Sequence, residues 1–75
     1  MIRILLVDDH ALVREGVGRL LEAQQDMHVI GSFGEGRTAI RFAAGNEPDV
    51  AVIDIAMPHE SGIDIARQLR EASPD

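Results

Sequence analysis

The sequence has no cysteine, no tryptophan and no tyrosine, and its only aromatic residues are Phe33 and Phe42. Without cysteine it can form no disulfide, no thiolate metal site and no cysteine nucleophile. With so few aromatic rings, we do not expect it to recognise bases, sugars or flavins by stacking. The hydrophobic core must therefore be aliphatic, which suits a small α/β fold.

Lysine is missing as well: the seven basic residues are all arginine, against thirteen acidic residues, and the formal net charge is −6. A chain of this charge offers no basic patch, so we expect no direct binding to DNA or RNA. No apolar run approaches the length of a membrane span, and the N-terminus lacks the pattern of a signal peptide. We therefore expect a soluble cytoplasmic protein that makes no membrane contact.

The 75 residues are enough for one domain, near the lower size limit for an independent hydrophobic core. Continuous apolar runs predict strands, and apolar residues at three- and four-residue spacing predict helices. The predicted order is β-α-β-α-β-α. The strands are predicted at residues 2–7, 27–32 and 50–54, and the helices at about 11–23, 37–44 and 62–71.

Each predicted helix carries apolar residues at helical spacing, which we expect to face the sheet. These residues are Val13, Val17, Leu20 and Leu21 in the first helix, Ala39, Ile40 and Ala43 in the second, and Ile65, Ala66 and Leu69 in the third. Gly31, Gly34 and Gly36 predict a loop, and their spacing does not match a nucleotide-binding fingerprint. Gly45 is predicted to end the second helix, and residues 73–75 the third.

Crossovers between parallel strands are right-handed, which favours a sheet with the first strand in the middle and the order 2-1-3. The first helix then covers one face of the sheet, and the other two helices cover the opposite face. We expect a flavodoxin-like α/β fold whose winding direction reverses between strands 1 and 3. Ligands bind in such a crevice, beyond the carboxyl ends of the strands.

The apolar run from Val50 to Ile53 predicts a strand that is buried on both faces, and it leads directly into Asp54. Asp8 and Asp9 follow the first strand in the same way, so three carboxylates should converge at one edge. Two such charges about 4 Å apart repel by roughly 4 kcal/mol at an effective dielectric constant near 20, which a bound cation would relieve. Oxygen ligands favour Mg²⁺ over zinc or copper.

The alternative is that these aspartates only cap the first helix and solvate a strand end. Asp8 and Asp9 alone favour that alternative, because paired acids before a helix are common. The presence of Asp54 at the end of the neighbouring predicted strand favours the cation site.

The chain closely resembles the receiver domain of two-component response regulators in three segments. They are LLVDDH at residues 5–10, PDV at 48–50 and DIAMP at 54–58, followed by Gly62. The segment DDHALVREG at residues 8–16 is most similar to the NarL/FixJ (LuxR-type) branch. The resemblance extends through residues 1–75, which by this comparison form the N-terminal part of a receiver domain.

The resemblance implies a signalling module and not an enzyme. In it Asp54 is the phosphoacceptor, a carboxylate nucleophile that takes a phosphoryl group from a sensor histidine kinase and so regulates a transcription factor. Asp8, Asp9, Asp54 and the backbone carbonyl of Ala56 would form the Mg²⁺ site, with Asp8 acting largely through water. The family's rim loop matches Met57, Pro58 and Gly62.

The remaining polar candidates have simpler interpretations. Because the kinase supplies the phosphohistidine, we interpret His10 as a local polar residue. His28 is predicted on an edge strand and His59 in a loop, and neither has a predicted partner at ligand spacing. The hydroxyl residues without an adjacent base are interpreted as capping or loop residues: Ser32, Thr38 and Ser61.

The resemblance stops before the family's fourth strand, so the Ser/Thr and Lys that contact the phosphoryl group in the family have no counterpart in this sequence. On this comparison the third strand lies at an edge of the sheet, and an apolar edge favours pairing with another strand. We therefore expect a homodimer formed through strand 3 or through the uncovered face of the sheet.

Two functions compete on these grounds. One is a phosphoacceptor receiver module, and the other is a half-receiver that folds by homodimerisation and acts as a structural unit without phosphotransfer. A Mg²⁺-dependent phosphatase of similar topology is disfavoured, because the Asp-x-Asp pair and the downstream lysine that it needs are missing. The mass of the intact protein after treatment with a phosphodonor separates the first two.

Overall fold

The structure is a computed structural model that describes residues 1–54, 57 and 61–72. Strands and helices alternate along these residues in the predicted order, and each predicted boundary is confirmed to within two residues. The strands are β1 (Ile2–Val7), β2 (Met27–Phe33) and β3 (Val50–Ile53), and the helices are α1 (Ala11–Glu22), α2 (Gly36–Asn46) and α3 (Gly62–Ala72). Among the described helices, none has the length and apolar character needed to cross a membrane. The predicted end at residues 73–75 lies outside the described residues.

The three strands form one parallel sheet in the order β2-β1-β3, which confirms the predicted topology. β1 and β3 pair in register from Ile4 opposite Val50 to Val7 opposite Ile53. The two strands therefore end level with each other. Asp8 and Asp54, which are the next residues in the chain, leave the sheet side by side.

The core lies between the sheet and the pair α2 and α3. Leu5 and Val7 of β1 are fully buried there, against the small residues of α2 and the apolar stripe of α3. Because side chains alternate along a strand, Ile4 and Leu6 point to the opposite face, which α1 covers in part. The buried residues that α2 and α3 contribute are Ala39, Ala43, Ile65 and Leu69.

The predicted inward face of α1 is only partly correct. Val17 and Leu21 are half-buried against the sheet, but Val13 and Leu20 are exposed. Arg14, which the pattern placed on the outer face, is instead half-buried. The helix is therefore rotated relative to the prediction, because it packs mainly on β2 at one side of the sheet and its other flank meets no described element.

The burial on both faces that the apolar run predicts for the third strand is wrong, whereas the expected position of this strand at an edge of the sheet is confirmed. Val50 and Val52 of β3 are 46% and 38% exposed, because within the described part of the chain β3 pairs with β1 alone. Their register places them on the same face as Ile4 and Leu6. The apolar surface left uncovered is therefore on the α1 side of the sheet.

Two glycine predictions are also wrong. The glycine spacing predicts a loop at Gly31, whereas the predicted strand at residues 27–32 includes it. The structure confirms the strand: Gly31 lies inside β2, at the point where the pairing with β1 skips one residue. The helix α2 continues past Gly45 to Asn46, and the left-handed residue that follows is Glu47, with φ of 45°. Pro48 explains this end, because a proline disfavours helical geometry in the residue before it.

In α3 the buried stripe consists of Gly62, Ile65 and Leu69, whereas Ala66 is exposed, contrary to prediction. The hydroxyl of Ser61 accepts a hydrogen bond from the backbone N–H of Asp64 at 3.3 Å. Ser61 therefore caps the first turn of α3, which confirms its interpretation as a capping residue.

Replacing Gly31 by alanine should lower the free energy of unfolding by about 1–3 kcal/mol, as for other overpacked cores. An added Cβ would lie 2.8 Å from ring atoms of both Phe33 and Phe42, whose ring centroids are 5.2 Å apart. Urea unfolding measures the change.

Gly45→Ala is the matched control, because a Cβ there meets nothing within 4 Å. Since Gly45 lies within a helix, we expect its free energy of unfolding to rise by about 0.5–1 kcal/mol. Equal stability of Gly31→Ala and the wild type would contradict this packing.

Candidate functional site

The sheet itself fixes the backbone on which the candidate site is built. The N–H of Asp8 donates to the carbonyl of Phe33 at 3.0 Å, and the N–H of Asp54 donates to the carbonyl of Val7 at 2.9 Å. Both bonds continue the ladder by one residue beyond the strands. The Cα positions of Asp8 and Asp54 are thus set by hydrogen bonds to the neighbouring strand, before any side chain contributes.

A tight turn follows Asp8 and leads into α1. The carboxylate of Asp8 accepts a hydrogen bond from the backbone N–H of His10 at 2.9 Å, which closes the turn through a side chain. His10 occupies the N-cap position of α1 with extended backbone geometry, and its side chain makes no capping hydrogen bond. The imidazole is therefore left to face the strand ends.

The structure brings together Asp8, Asp9, His10 and Asp54, which we call the acid cluster. The Nδ1 atom of His10 lies 3.0 Å from Asp9 Oδ1, 3.4 Å from Asp8 Oδ1 and 3.8 Å from Asp54 Oδ2. Each of the four residues offers one ligand atom, and these atoms all lie within 4.8 Å of one another. The three predicted carboxylates thus meet at the crevice between β1 and β3.

Sequence reasoning missed His10 as a member of the cluster and assigned it no role there. The available signal was its position: a residue that directly follows two acids and opens a helix must lie near both of them.

The cluster is buried on one side and open on the other. The side chain of Asp8 is 13% exposed, that of Asp54 is 23% exposed and that of Asp9 is 28% exposed. Asp8 is therefore the innermost acid, while Asp9 and Asp54 form the accessible surface.

The donor set of the acid cluster fits Mg²⁺. Three carboxylates supply hard oxygen ligands, and the open side leaves room for water or substrate oxygens, as Mg²⁺ prefers. Ala56, whose carbonyl the resemblance assigns to the same site, lies outside the described residues. Asp8, Asp9 and Asp54 are therefore the described residues that would hold the ion.

The other residues singled out from the sequence lie elsewhere. Met57 is buried in the core with α2 and α3, so it packs and does not line the cluster. His28 pairs on the surface with Glu22, at 3.0 Å between Nδ1 and Oε1. Gly62 is buried at the start of α3. Ser32 lies in β2 and Thr38 in α2, both exposed, so their interpretation as capping or loop residues is wrong. Pro58 and His59 lie outside the described residues.

A parallel sheet in the order 2-1-3, with acidic side chains at the crevice where its winding reverses, agrees with the receiver class of α/β domain that the sequence predicts. The sequence comparison agrees with the fold: the response regulator receiver domain family matches residues 4–75. The chain belongs to this family. The described fold corresponds to the part of a receiver domain that carries its acidic site.

The chain is similar to individual response regulators and transcriptional regulatory proteins. It is 45% identical over 74 residues to the transcriptional regulatory protein LiaR of Bacillus subtilis, covering 97% of this chain and 35% of the relative. A LuxR-family response regulator from Aurantimonas sp. SI85-9A1 superposes with a TM-score of 0.85 at 38% identity, covering 92% of this chain and 49% of the other. The chain thus spans about a third of the curated relative's length.

A further solved structure contains a receiver together with its kinase. The chain superposes with a TM-score of 0.83, at 29% identity, on a chain from the crystal structure of the histidine kinase ThkA in complex with the response regulator protein TrrA. The match covers 100% of this chain and 63% of the other.

Mg²⁺ is expected to raise the melting temperature of the wild-type chain, because a ligand that binds only the folded state stabilises it. The gain is about 1.4 kcal/mol at ten times the dissociation constant. Asp9→Asn should lose most of this gain, since Asp9 is one of the accessible acids of the cluster. Differential scanning fluorimetry at constant ionic strength measures the shift.

Asp26→Asn is the control for that measurement. Asp26 is an exposed acid directly before β2, at the opposite end of the parallel sheet from the cluster. It should keep the full Mg²⁺ response. A full response in Asp9→Asn would show that the acid cluster is not where the ion binds.

Proposed function

We propose that this chain is the phosphoacceptor receiver module of a two-component system. In this proposal Asp54 accepts a phosphoryl group from a sensor histidine kinase, and its phosphorylation regulates a transcription-factor output. The transcriptional output is proposed by similarity to a transcriptional regulatory protein, of which the chain spans about a third. The observation that carries the proposal is the placement of Asp54, level with Asp8 and Asp9 at the carboxyl ends of β1 and β3.

The position of Asp54 suits a nucleophile. Its backbone is held by the hydrogen bond to Val7, so the carboxylate has a fixed origin at the end of the sheet. Its side chain is 23% exposed, which allows approach of a phosphodonor from the open side of the cluster. Because the Asp54 backbone is already held in place and its carboxylate is partly exposed, less entropy is lost when the carboxylate and the phosphodonor reach a reactive geometry.

The chemistry is a displacement at phosphorus. A carboxylate oxygen of Asp54 forms a bond to the phosphorus atom, and the bond from phosphorus to the donor atom breaks. That donor atom is a phosphohistidine nitrogen of the kinase or an acyl oxygen of a small donor, and it leaves with the electron pair. The product is a mixed anhydride on Asp54.

The acids beside Asp54 need a cation for this step, because a phosphoryl group adds further negative charge to a crowded site. Mg²⁺ held by Asp8, Asp9 and Asp54 would supply the neutralising charge on the transferring group. Asp8, as the most buried acid, also holds the turn that brings Asp9 into the cluster, through its bond from the His10 N–H.

Family membership and the structural relative that was crystallised with a histidine kinase support the proposed kinase partner. The transferred group would come from a histidine of that partner. His10 has no part in accepting it, since Asp54 is the nucleophile in the proposal.

Treatment with a small acyl phosphate and Mg²⁺ should add the mass of one phosphoryl group to the intact chain, and Asp54→Asn should stay unmodified. No adduct should form when Mg²⁺ is removed with EDTA before the donor is added. Asp64→Asn is the matched control, because Asp64 is an exposed acid in the first turn of α3. No adduct on the wild-type chain, or an adduct of equal yield on Asp54→Asn, would overturn the proposal.

A second candidate is a homodimer that serves as a structural or interaction unit. Val50 and Val52 are exposed on the α1 side of the sheet, where Val13 and Leu20 on one flank of α1 are exposed as well. A second copy is the occupant that we propose for this surface, because two β3 edges related by a twofold axis satisfy each other's backbone groups.

Sedimentation at tens of micromolar should therefore show a dimer, and Val52→Lys should shift it to monomer, since a charge on an edge strand opposes pairing. Arg67→Lys is the control: it keeps the charge of an exposed residue on α3, on the other face of the sheet. A compact wild-type monomer that is fully folded at the same concentration would count decisively against the dimer.

A further inference from the structure

Arg14 makes a contact with the acid cluster's backbone that the sequence pattern did not predict. Its Nη1 atom donates a hydrogen bond to the carbonyl of Asp8 at 2.6 Å. Its own backbone N–H donates to the carbonyl of His10 at 2.9 Å. Arg14 is therefore tied twice to the turn between β1 and α1, once through the helix backbone and once through a charge-assisted side-chain bond.

Gly34 completes this arrangement from the connection between β2 and α2. A Cβ at Gly34 would lie 2.9 Å from Nη1 of Arg14 and 3.9 Å from the carbonyl oxygen of Asp8. Real Cβ atoms do not approach that closely, so a side chain at position 34 would displace the guanidinium. The guanidinium thus lies between the Asp8 carbonyl and the Gly34 backbone.

The bonded carbonyl belongs to the peptide that joins Asp8 to Asp9. A peptide unit is planar, so rotation of this unit moves the Asp8 oxygen and the Asp9 nitrogen together. Asp9 follows β1 by two residues, beyond the last bond of the ladder at Asp8. The orientation of this peptide therefore sets where the Asp9 carboxylate stands relative to Asp54.

We infer that Arg14 is a positioning residue for the acid cluster. Its guanidinium fits beside Gly34 because that residue has no side chain, and it holds the Asp8–Asp9 peptide in one orientation. This orientation places the Asp9 carboxylate where it can bind the cation. The inference rests on the proposed function. Arg14 acts on the backbone and touches neither the phosphoryl group nor the ion.

Arg19 provides a matched control on the same helix. It is exposed and pairs with Glu15 at 2.9 Å, one helical turn away along the surface. Arg19→Gln and Arg14→Gln remove the same charge from α1. Only Arg14→Gln removes a bond to the turn that carries Asp8 and Asp9.

The first test measures Mg²⁺ affinity of the phosphate-free chain by NMR titration. Arg14→Gln should weaken it by roughly tenfold or more, as loss of an outer contact to a metal ligand does, with Arg14→Lys intermediate. Gly34→Ala should weaken it to a similar degree. The double variant should be no weaker than either single variant, because both remove one contact. Arg19→Gln should bind as the wild type does.

The second test needs no cation. Amide hydrogen exchange of the His10 N–H, which is held on the Asp8 carboxylate, reports directly on the turn. It should be faster in Arg14→Gln and Gly34→Ala, and unchanged in Arg19→Gln. If Arg14→Gln fails to fold, Arg14→Lys and Gly34→Ala carry the same comparison.

The outcomes separate this inference from the proposed function. Unchanged His10 exchange in folded Arg14→Gln and Gly34→Ala overturns the inference, as does an equal loss of Mg²⁺ affinity in Arg19→Gln. A wild-type chain that binds Mg²⁺ but accepts no phosphoryl group overturns the proposed function alone, and faster His10 exchange in the variants would still support the positioning role.

Discussion

The constraint on which the rest of the structure depends is the level ending of β1 and β3. Val7 and Ile53 are paired in the last register position, and the Asp54 N–H then bonds back to the Val7 carbonyl. A shift of one residue in this register would send every side chain of β3 to the other face of the sheet. It would also carry Asp54 away from Asp8 and Asp9. The hydrophobic pairing of two strands therefore positions the polar site.

Bringing three carboxylates together works against folding, and the structure offsets that cost with donors of several kinds. The sheet holds the backbone of Asp8 and Asp54, the His10 N–H bonds to one carboxylate, and the His10 imidazole lies against all three acids. The remaining repulsion favours binding of a cation from solvent.

The sequence predicted those parts of the fold that depend on local pattern. The strands, the helices, the 2-1-3 order and the acids at the strand ends all follow from apolar periodicity and the handedness of crossovers.

Features that depend on residues close in space but distant in sequence were missed. The apolar run of β3 predicts burial, whereas the 2-1-3 order places β3 at an edge, and the exposure of Val52 follows from the edge position. The rotation of α1 depends on what covers each flank, so the exposure of Leu20 could not be assigned from the pattern. Gly31 resembled a loop residue because its role, making room for two phenylalanine rings, involves residues on different elements. Arg14 and His10 were missed for the same reason: their partners are set by the turn that they help to form.

The central claim is that Asp54, and no other acid, is the nucleophile of the cluster. The most direct test is to treat the wild-type chain with an acyl phosphate and Mg²⁺, reduce the product with borohydride, and sequence its fragments by mass spectrometry. Reduction converts an aspartyl phosphate to homoserine and so marks the residue permanently. The account predicts homoserine at position 54 alone. Homoserine at position 8 or 9, or at none of the seven aspartates, would contradict it.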